Sequence, residues 1–367
     1  MRARVDFIWY NNRIAAVCPI SCIYHSGLLR LWYHVTVQRW PLISCGGRTD
    51  GKNKLDSCTR KRFILRKRGI KLYLHSFNEE MRSRFGCKVY RLALSAGCTC
   101  PNRDGTVGSR GCIFCDGAGA FAAHGPISHQ LAQAKARVSA KAGSGAYVAY
   151  FQDYTNTYAP VETLRRLFTD AMEPEDVVAL SVATRPDCLG DEVLDLLRDL
   201  RRKKPVWVEL GLQTIHPATA EYIRRGYPLE QYDEAVEQLH RIGAEVITHM
   251  ILGLPGEGAE EMVRTAEYIG RSGAEGIKLH MLHVLRNTDL AEEYGRGVFR
   301  TMELEEYISA LERCIRRLPR SVVINRLTGD GAKKDLIAPL WSGDKKRVLN
   351  AIRASFLRDD LVQGSEL

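Results

Sequence analysis

The sequence predicts an α/β protein: a partial, open parallel β/α barrel of about six strands, with a small C-terminal α/β appendage and an irregular N-terminal extension. Two observations carry this prediction. From residue 88 onward, short apolar segments alternate with amphipathic ones, and most of the apolar segments start roughly 30 residues apart, as βα units require. Several of the apolar segments also place polar residues on one face, which a closed and filled barrel would not do.

The predicted strands are short segments rich in apolar residues: Val89–Leu94, Tyr147–Gln152, Val177–Ala183, Val206–Leu212, Glu245–Leu252 and Ile277–Leu282. Three of the intervening helices carry start or stop signals, namely Pro160 before Val161–Ala171, Asp191 before Glu192–Arg202, and Gly243 after Leu229–Ile242. A further strand, Val322–Asn325, and a basic helix follow and are assigned to the C-terminal appendage.

The strand faces favour an open barrel over a doubly wound sheet with incidental polar positions. In Val206–Gln213, alternation places Glu209 and Gln213 opposite an apolar face that should meet the helices. The strand Ile277–Leu282 repeats the pattern with Lys278 and His280. Because a closed eight-stranded barrel fills its interior with branched apolar side chains, these polar faces predict a wider, incomplete barrel with a usable lumen.

Residues 1–71 differ from the rest of the 367-residue chain, because they hold 15 Lys and Arg against 3 Asp and Glu. The formal net charge of +10 therefore comes from this segment. The rest of the chain is nearly neutral, so its charge does not by itself indicate a nucleic-acid or membrane partner. No helical or strand period persists there. We expect a dispensable extension, with a targeting peptide or a basic nucleic-acid arm as alternatives. The predicted domains are 1–71, 72–318 for the barrel, and 319–367 for a small C-terminal domain.

The eleven cysteines are odd in number and irregularly spaced, which argues against a disulfide framework and for a reducing compartment. No apolar run is long enough to span a membrane. These features predict a cytoplasmic protein.

Four cysteines, Cys98, Cys100, Cys112 and Cys115, follow the first predicted strand, where an α/β barrel places its active site. Structural zinc usually takes two C-x2-C pairs, and only the last two cysteines have that spacing. An iron–sulfur cubane held by thiolates fits better, and one with three protein ligands leaves an iron open to an exogenous group. Zinc and unligated core cysteines remain as alternatives.

Beyond this loop, the chain resembles one bacterial radical S-adenosylmethionine (SAM) family, with a long-spaced C-x11-C-x2-C cluster loop. That family is related to the radical-SAM part of the Elongator catalytic subunit. The resemblance runs from about residue 73 to about residue 349 and depends on seven strings: CPNRDGT at 100–106, YFQDYTNTYAP at 150–160, SVATRPDCL at 181–189, WVELGLQT at 207–214, GLPGE at 253–257, GIKLHMLHVL at 276–285 and RLTGDG at 326–331.

The resemblance implies a set of cofactor sites. It assigns three irons of a 4Fe–4S cluster to Cys100, Cys112 and Cys115, and the fourth to the amino and carboxylate groups of SAM. Cys98 departs from the family, in which an aromatic residue is expected. The groups expected to contact SAM are Phe114, Gly117, Gly119, Arg185, Gln213, Gly253 and Pro255.

The remaining polar residues near the strand ends are candidates for substrate binding or proton transfer. They are Gln152, Asp153, Glu209, Lys278, His280 and His283, of which Glu209, Lys278, His280 and His283 are the predicted catalytic residues. The alternative for each is a hydrogen-bonded residue of the core.

The implied activity is reductive cleavage of SAM to methionine and a 5′-deoxyadenosyl radical that abstracts hydrogen from a substrate. The kinship to Elongator favours tRNA carrying a wobble-uridine modification as substrate. An electron donor such as flavodoxin or ferredoxin is expected. A small metabolite or a protein side chain is the alternative substrate, and a non-catalytic zinc module is the remote alternative.

Overall fold

The structure is a computed structural model that describes residues 6–10, 13–17, 73–117, 125–142, 145–329 and 333–367. Residues 1–46 form one unit and residues 47–367 another. Within the first unit, β1 (Asp6–Tyr10) pairs with β2 (Arg13–Val17) in antiparallel fashion. This hairpin differs from the expected absence of regular elements in 1–71. Two five-residue segments rich in β-forming side chains are too short to stand out as a period.

The second unit is built on seven parallel strands in the order β3-β4-β5-β6-β7-β8-β10, so the predicted open parallel barrel is confirmed. Their bounds are β3 Val89–Leu94, β4 Ala146–Phe151, β5 Val177–Thr184, β6 Val206–Gln213, β7 Glu245–Leu252, β8 Gly276–Met281 and β10 Val323–Arg326. The seventh strand is the one that the sequence analysis assigns to the C-terminal appendage. It instead pairs with β8 and extends the main sheet.

Helices connect the parallel strands, and the three predicted ones agree with the structure to within one or two residues. The helices are α1 Phe77–Phe85, α2 Ile127–Ala142, α3 Val161–Met172, α4 Asp191–Arg201, α5 Pro217–Tyr222, α6 Leu229–Arg241, α7 Ala259–Arg271, α8 Asp289–Gly295, α9 Leu304–Arg316 and α10 Lys345–Arg358. A small antiparallel pair joins β9 (Val284–Leu285) to β11 (Leu336–Ala338). No helix of the described residues is long and apolar enough to cross a membrane.

The main core lies between the outer face of the sheet and the helices. It includes Val206, Val208, Leu210 and Leu212 of β6, as alternation predicts. The other face of β6 points into the lumen, where Trp207 belongs to a second apolar cluster. That cluster includes Met81 of α1, so this helix fills the lumen at the amino ends of the strands. The carboxyl ends carry the cysteine loop and an open cavity.

Candidate active site

Three of the four clustered cysteines line one cavity at the carboxyl ends of the strands. Cys100, Cys112 and Cys115 border a space of about 220 Å³. The loop that carries them folds back on itself, since the Gly111 N–H donates to the Asn102 carbonyl at 2.7 Å and the Asn102 side-chain amide donates to the Cys112 sulfur at 3.4 Å. These bonds bring the two ends of the eleven-residue spacing together.

Cys98 does not line this cavity. It packs against the main core, and burial raises the pKa of its thiol to about 11. Burial also raises the pKa of Cys112 to about 11, and the neighbouring Cys115 and Cys100 thiols add to that increase. The sulfur atoms of the three cavity cysteines therefore interact electrostatically, whereas Cys98 belongs to the packing of the protein.

Phe114 and Gly117 lie close to the cysteines. Phe114 lines the cavity. Gly117 has a φ of 68°, and an added Cβ would lie 2.7 Å from Nη1 of Arg103, so only glycine fits without displacement. Its carbonyl oxygen accepts a hydrogen bond from the hydroxyl of Tyr154. Gly119, also predicted as a SAM contact, lies outside the described residues.

Arg185 and Gln213 both line the cavity from the ends of β5 and β6. The Arg185 guanidinium donates to both oxygens of Asp187, at 2.9 and 2.7 Å, and to the Arg225 carbonyl at 2.9 Å. These bonds hold a planar cation in one orientation at the cavity wall. Gln213 has a φ of 69° where the pairing of β6 with β7 shifts register, and this bulge sets its position.

A buried ionic network forms the lumen side of the cavity. Glu209 is fully buried, and its carboxylate accepts hydrogen bonds from Ser181 at 2.8 Å and from Lys278. Nε2 of His249 lies 2.8 Å from the same carboxylate, and Lys278 also donates to the Tyr150 hydroxyl at 2.9 Å. Burial disfavours the charged forms and lowers the pKa of Lys278, but the Lys278 and His249 side chains hold the pKa of Glu209 well below its usual range.

Six of the predicted catalytic and cofactor-binding residues that the structure describes do not border the cavity, namely Gly117, Gly253, Pro255, Lys278, His280 and His283. His280 lies on β8 with its ring 5.3 Å from that of His249, and burial holds its pKa well below the usual value. His283 follows β8 and lies beside Gly329, where an added Cβ would be 2.3 Å from the imidazole. Gly253 and Pro255 follow β7, and Gly253 packs against Met302 instead. Gly253 has a φ of 82° in the turn after β7.

Models of known families match the chain in two places, the Radical SAM superfamily over residues 103–269 and the Radical_SAM C-terminal domain over residues 274–358. The Bacillus subtilis (strain 168) protein YtqA is 40% identical over 294 residues, which cover 79% of this chain and 91% of YtqA. The chain belongs to the radical SAM superfamily. It is a radical SAM enzyme, and this superfamily uses a 4Fe–4S cluster and SAM.

The radical SAM chain also has more distant relatives. It is 28% identical over 156 residues to the tRNA uridine(34) acetyltransferase of Methanocaldococcus jannaschii, which is 42% of this chain and 28% of that protein. The structure of the Methanocaldococcus infernus Elp3 with an N-terminal deletion superimposes with a TM-score of 0.60 at 19% identity, over 75% of this chain and 64% of that chain. This superposition confirms the half-barrel fold.

The cavity of this radical SAM enzyme suits a cluster better than a single metal ion. Within the part of the chain that the structure describes, no three His, Cys, Asp or Glu side chains are arranged to hold one ion. The three thiols nevertheless border one space, and a four-iron cubane separates its ligand sulfurs more widely than one zinc ion does. Membership of the radical SAM superfamily argues against the non-catalytic zinc module.

Several residues around the cavity of this radical SAM enzyme were not predicted from the sequence. His249 shares a face of β7 with Glu245 and Ile247, so the alternation that revealed Glu209 would have revealed it too. Arg103 and Tyr154 carry no local signal, because their partners are distant backbone atoms of the cysteine loop. Tyr227, on which the Arg185 guanidinium stacks at 5.0 Å, is likewise known only from the fold.

Proposed function

We propose that Cys100, Cys112 and Cys115 ligate the 4Fe–4S cluster and that SAM occupies the adjoining cavity. The single observation that supports this ligand set is that these three thiols border one space while Cys98 packs into the core. A cluster with three protein ligands leaves one iron for the amino and carboxylate groups of SAM.

The SAM subsite is formed by the remaining cavity residues. Phe114 offers an aromatic surface for adenine, whereas the space beside the Cα of Gly117 is taken by the Arg103 guanidinium. Arg185 is held rigidly by Asp187 and, with Gln213, faces the ribose and carboxylate oxygens. Gly253 and Pro255 do not line the cavity, so this proposal leaves them out.

When bound, the cluster and SAM supply an adenosyl carbon radical that removes a hydrogen atom from the substrate. The chain's own residues orient the substrate and exclude water. Glu209 and His249 border the cavity. Lys278 does not border it, and its ammonium group donates a hydrogen bond to the Glu209 carboxylate and neutralises its charge. We assign substrate binding and proton transfer at the lumen to this network, with His280 as a packing neighbour of His249.

The substrate that we propose is tRNA at a wobble uridine, and the electron donor is a flavodoxin or ferredoxin in the cytoplasm. The support is the similarity to a tRNA uridine(34) acetyltransferase over 42% of this chain. To an extruded base, the cavity offers the Glu209 carboxylate and the His249 imidazole as hydrogen-bonding groups.

The ligand assignment is tested by single Cys→Ala variants purified without oxygen. Cys100→Ala, Cys112→Ala and Cys115→Ala should lose most of the iron and all 5′-deoxyadenosine formation. Cys98→Ala is the matched control and should keep both. A cluster that survives Cys100→Ala but not Cys98→Ala would contradict the assignment.

The substrate is tested by mass spectrometry of tRNA nucleosides from a deletion strain complemented with the unchanged gene, Cys115→Ala or Cys98→Ala. We expect one wobble-uridine nucleoside to change on deletion and to be restored by the unchanged gene and Cys98→Ala only. Binding to tRNA through about six phosphate contacts should weaken by roughly 10³-fold between 50 and 200 mM salt. An unchanged nucleoside profile would leave a metabolite or protein substrate.

A further inference from the structure

Arg103 lies inside the cysteine loop, and the loop is shaped around its guanidinium. A Cβ added at Gly111 would lie 2.9 Å from Cζ of Arg103, and one added at Gly117 would lie 2.7 Å from Nη1. Both glycines have positive φ values, 75° and 68°. The chain therefore turns against the guanidinium on two sides, at positions where no larger residue fits without displacement.

Arg103 also binds the loop backbone next to the first and last cavity cysteines. Its Nη2 donates to the Cys115 carbonyl oxygen at 2.5 Å. Its backbone N–H donates to the Cys100 carbonyl oxygen at 2.8 Å. One residue thus connects two ends of a loop whose sequence separation is fifteen residues, Cys100 to Cys115.

The charge of Arg103 lies near the thiols. Arg103 borders the same cavity as Cys100 and Cys115, and its guanidinium donates to the Cys115 carbonyl. Reduction of a cluster held by those sulfurs adds negative charge, and a nearby fixed cation stabilises added negative charge. The planar fork of an arginine supplies both this charge and a directed hydrogen bond, which a lysine does not reproduce.

We propose that Arg103 is a positioning residue that holds Cys100 and Cys115 in cluster-binding geometry and whose charge favours the reduced cluster. This inference rests on the proposed ligand set. It goes beyond that set, because it assigns cluster retention and reduction potential to a residue that is not a ligand.

The test uses full-length protein purified without oxygen, with iron retention against a ferrous chelator and an EPR-monitored redox titration as readouts. Arg103→Ala should lower the chelator concentration that removes half of the iron by about tenfold or more, the usual effect of losing an outer-shell partner. Its reduction potential should become more negative. Arg103→Lys should recover most of the potential but not the iron retention.

The matched control is Arg110→Ala in the same loop, since the Arg110 side chain is 65% exposed and pairs with Asp289 at 2.6 Å instead of contacting the cysteine backbone. It should keep the iron retention and potential of the unchanged protein. If Arg103→Ala behaves like the unchanged protein, or Arg110→Ala loses iron as readily as Arg103→Ala, the inference is wrong.

Gly111→Ala supplies a second measurement that does not remove the arginine. It should weaken iron retention more in the unchanged background than in the Arg103→Ala background, because the positive φ of Gly111 strains an alanine in both, whereas the contact with Arg103 exists only in the first. Equal losses of iron retention in both backgrounds would contradict the inference.

Circular dichroism shows whether each variant is folded. If Cys100→Ala and Cys115→Ala retain the cluster, the proposed ligand set is wrong. If those two cysteine variants lose the cluster but Arg103→Ala retains iron and potential like the unchanged protein, only the role of Arg103 is refuted.

Discussion

The lumen of the half-barrel is closed at the amino ends of its strands and open at their carboxyl ends. At the amino ends, α1 inserts Phe77 and Met81, and the Phe77 ring meets Trp207 edge-on at 6.2 Å. The charged groups there, such as Arg84 and Glu245 at 2.6 Å, are about one-third exposed and pair near the surface. This end is an ordinary apolar closure with a rim of ion pairs.

At the carboxyl ends, in contrast, charges are buried. The side chains of Lys278 and Glu209 are 1% and 0% exposed, and Glu209 borders the same cavity as the cysteines. Burying a charge pair costs several kcal/mol per ion before the pair's attraction is counted, and well-packed apolar residues are often as stable. The difference teaches that the fully buried ion pair of this sheet, Lys278 with Glu209, adjoins the cavity, whereas Arg84 and Glu245 at the amino ends pair near the surface.

Breaking the buried pair should give the largest effect on stability. Lys278→Met leaves Glu209 buried without its main counter-charge, so we expect a loss of about 3–5 kcal/mol in the free energy of unfolding, measured by urea titration. Arg84→Gln, which removes an ion pair at the opposite end, should cost at most about 1 kcal/mol. Equal losses of stability in Lys278→Met and Arg84→Gln would contradict the difference between the two ends of the lumen.

The double variant Lys278→Met with Glu209→Gln separates charge from packing. Removing both charges should restore a large part of the stability lost in Lys278→Met. No restoration would mean that the loss comes from packing of the lysine stem.

Truncating the apolar closure should have an intermediate effect. Phe77 is half-buried, so Phe77→Ala should cost about 2 kcal/mol in urea titration, less than a fully buried aromatic residue. Val298→Ala, at a side chain that is 60% exposed, is the control and should change stability by less than about 0.5 kcal/mol. A Phe77→Ala value as small as the control would show that α1 does not close the lumen by packing.

The smallest effect should be a pH dependence at the amino end. Nε2 of His75 lies 3.0 Å from Glu80 and Nδ1 lies 3.1 Å from the Arg320 carbonyl, so both partners favour the protonated ring and raise the pKa of His75. The resulting stability is present below the ordinary histidine pKa of about 6.5 and is lost as pH rises through the raised value. His75→Gln should therefore be less stable than the unchanged protein at pH 5.5, by under about 1 kcal/mol, and nearly equal at pH 9. A difference that grows with pH would contradict this.

Local patterns determined the strands and their faces. The alternation in β6 placed Glu209 in the lumen and Val208 in the outer core, and both positions are as predicted. The same alternation in β7 puts His249 on the lumen face with Glu245 and Ile247. The cluster-loop strings identified the superfamily, because spacing and residue type within one segment are properties of the sequence itself.

Tertiary structure alone decided which distant groups meet. The pairing of β10 with β8 extended the sheet by a strand that looked like part of a separate domain. The guanidinium of Arg103 lies against both Gly111 and Gly117. Gly253, in the turn after β7, contacts Met302 and does not border the cavity. A period of two or 3.6 residues indicates which face of a strand or helix a side chain is on. Which distant residues that side chain contacts depends on the loops and the strand order, and no local period encodes these.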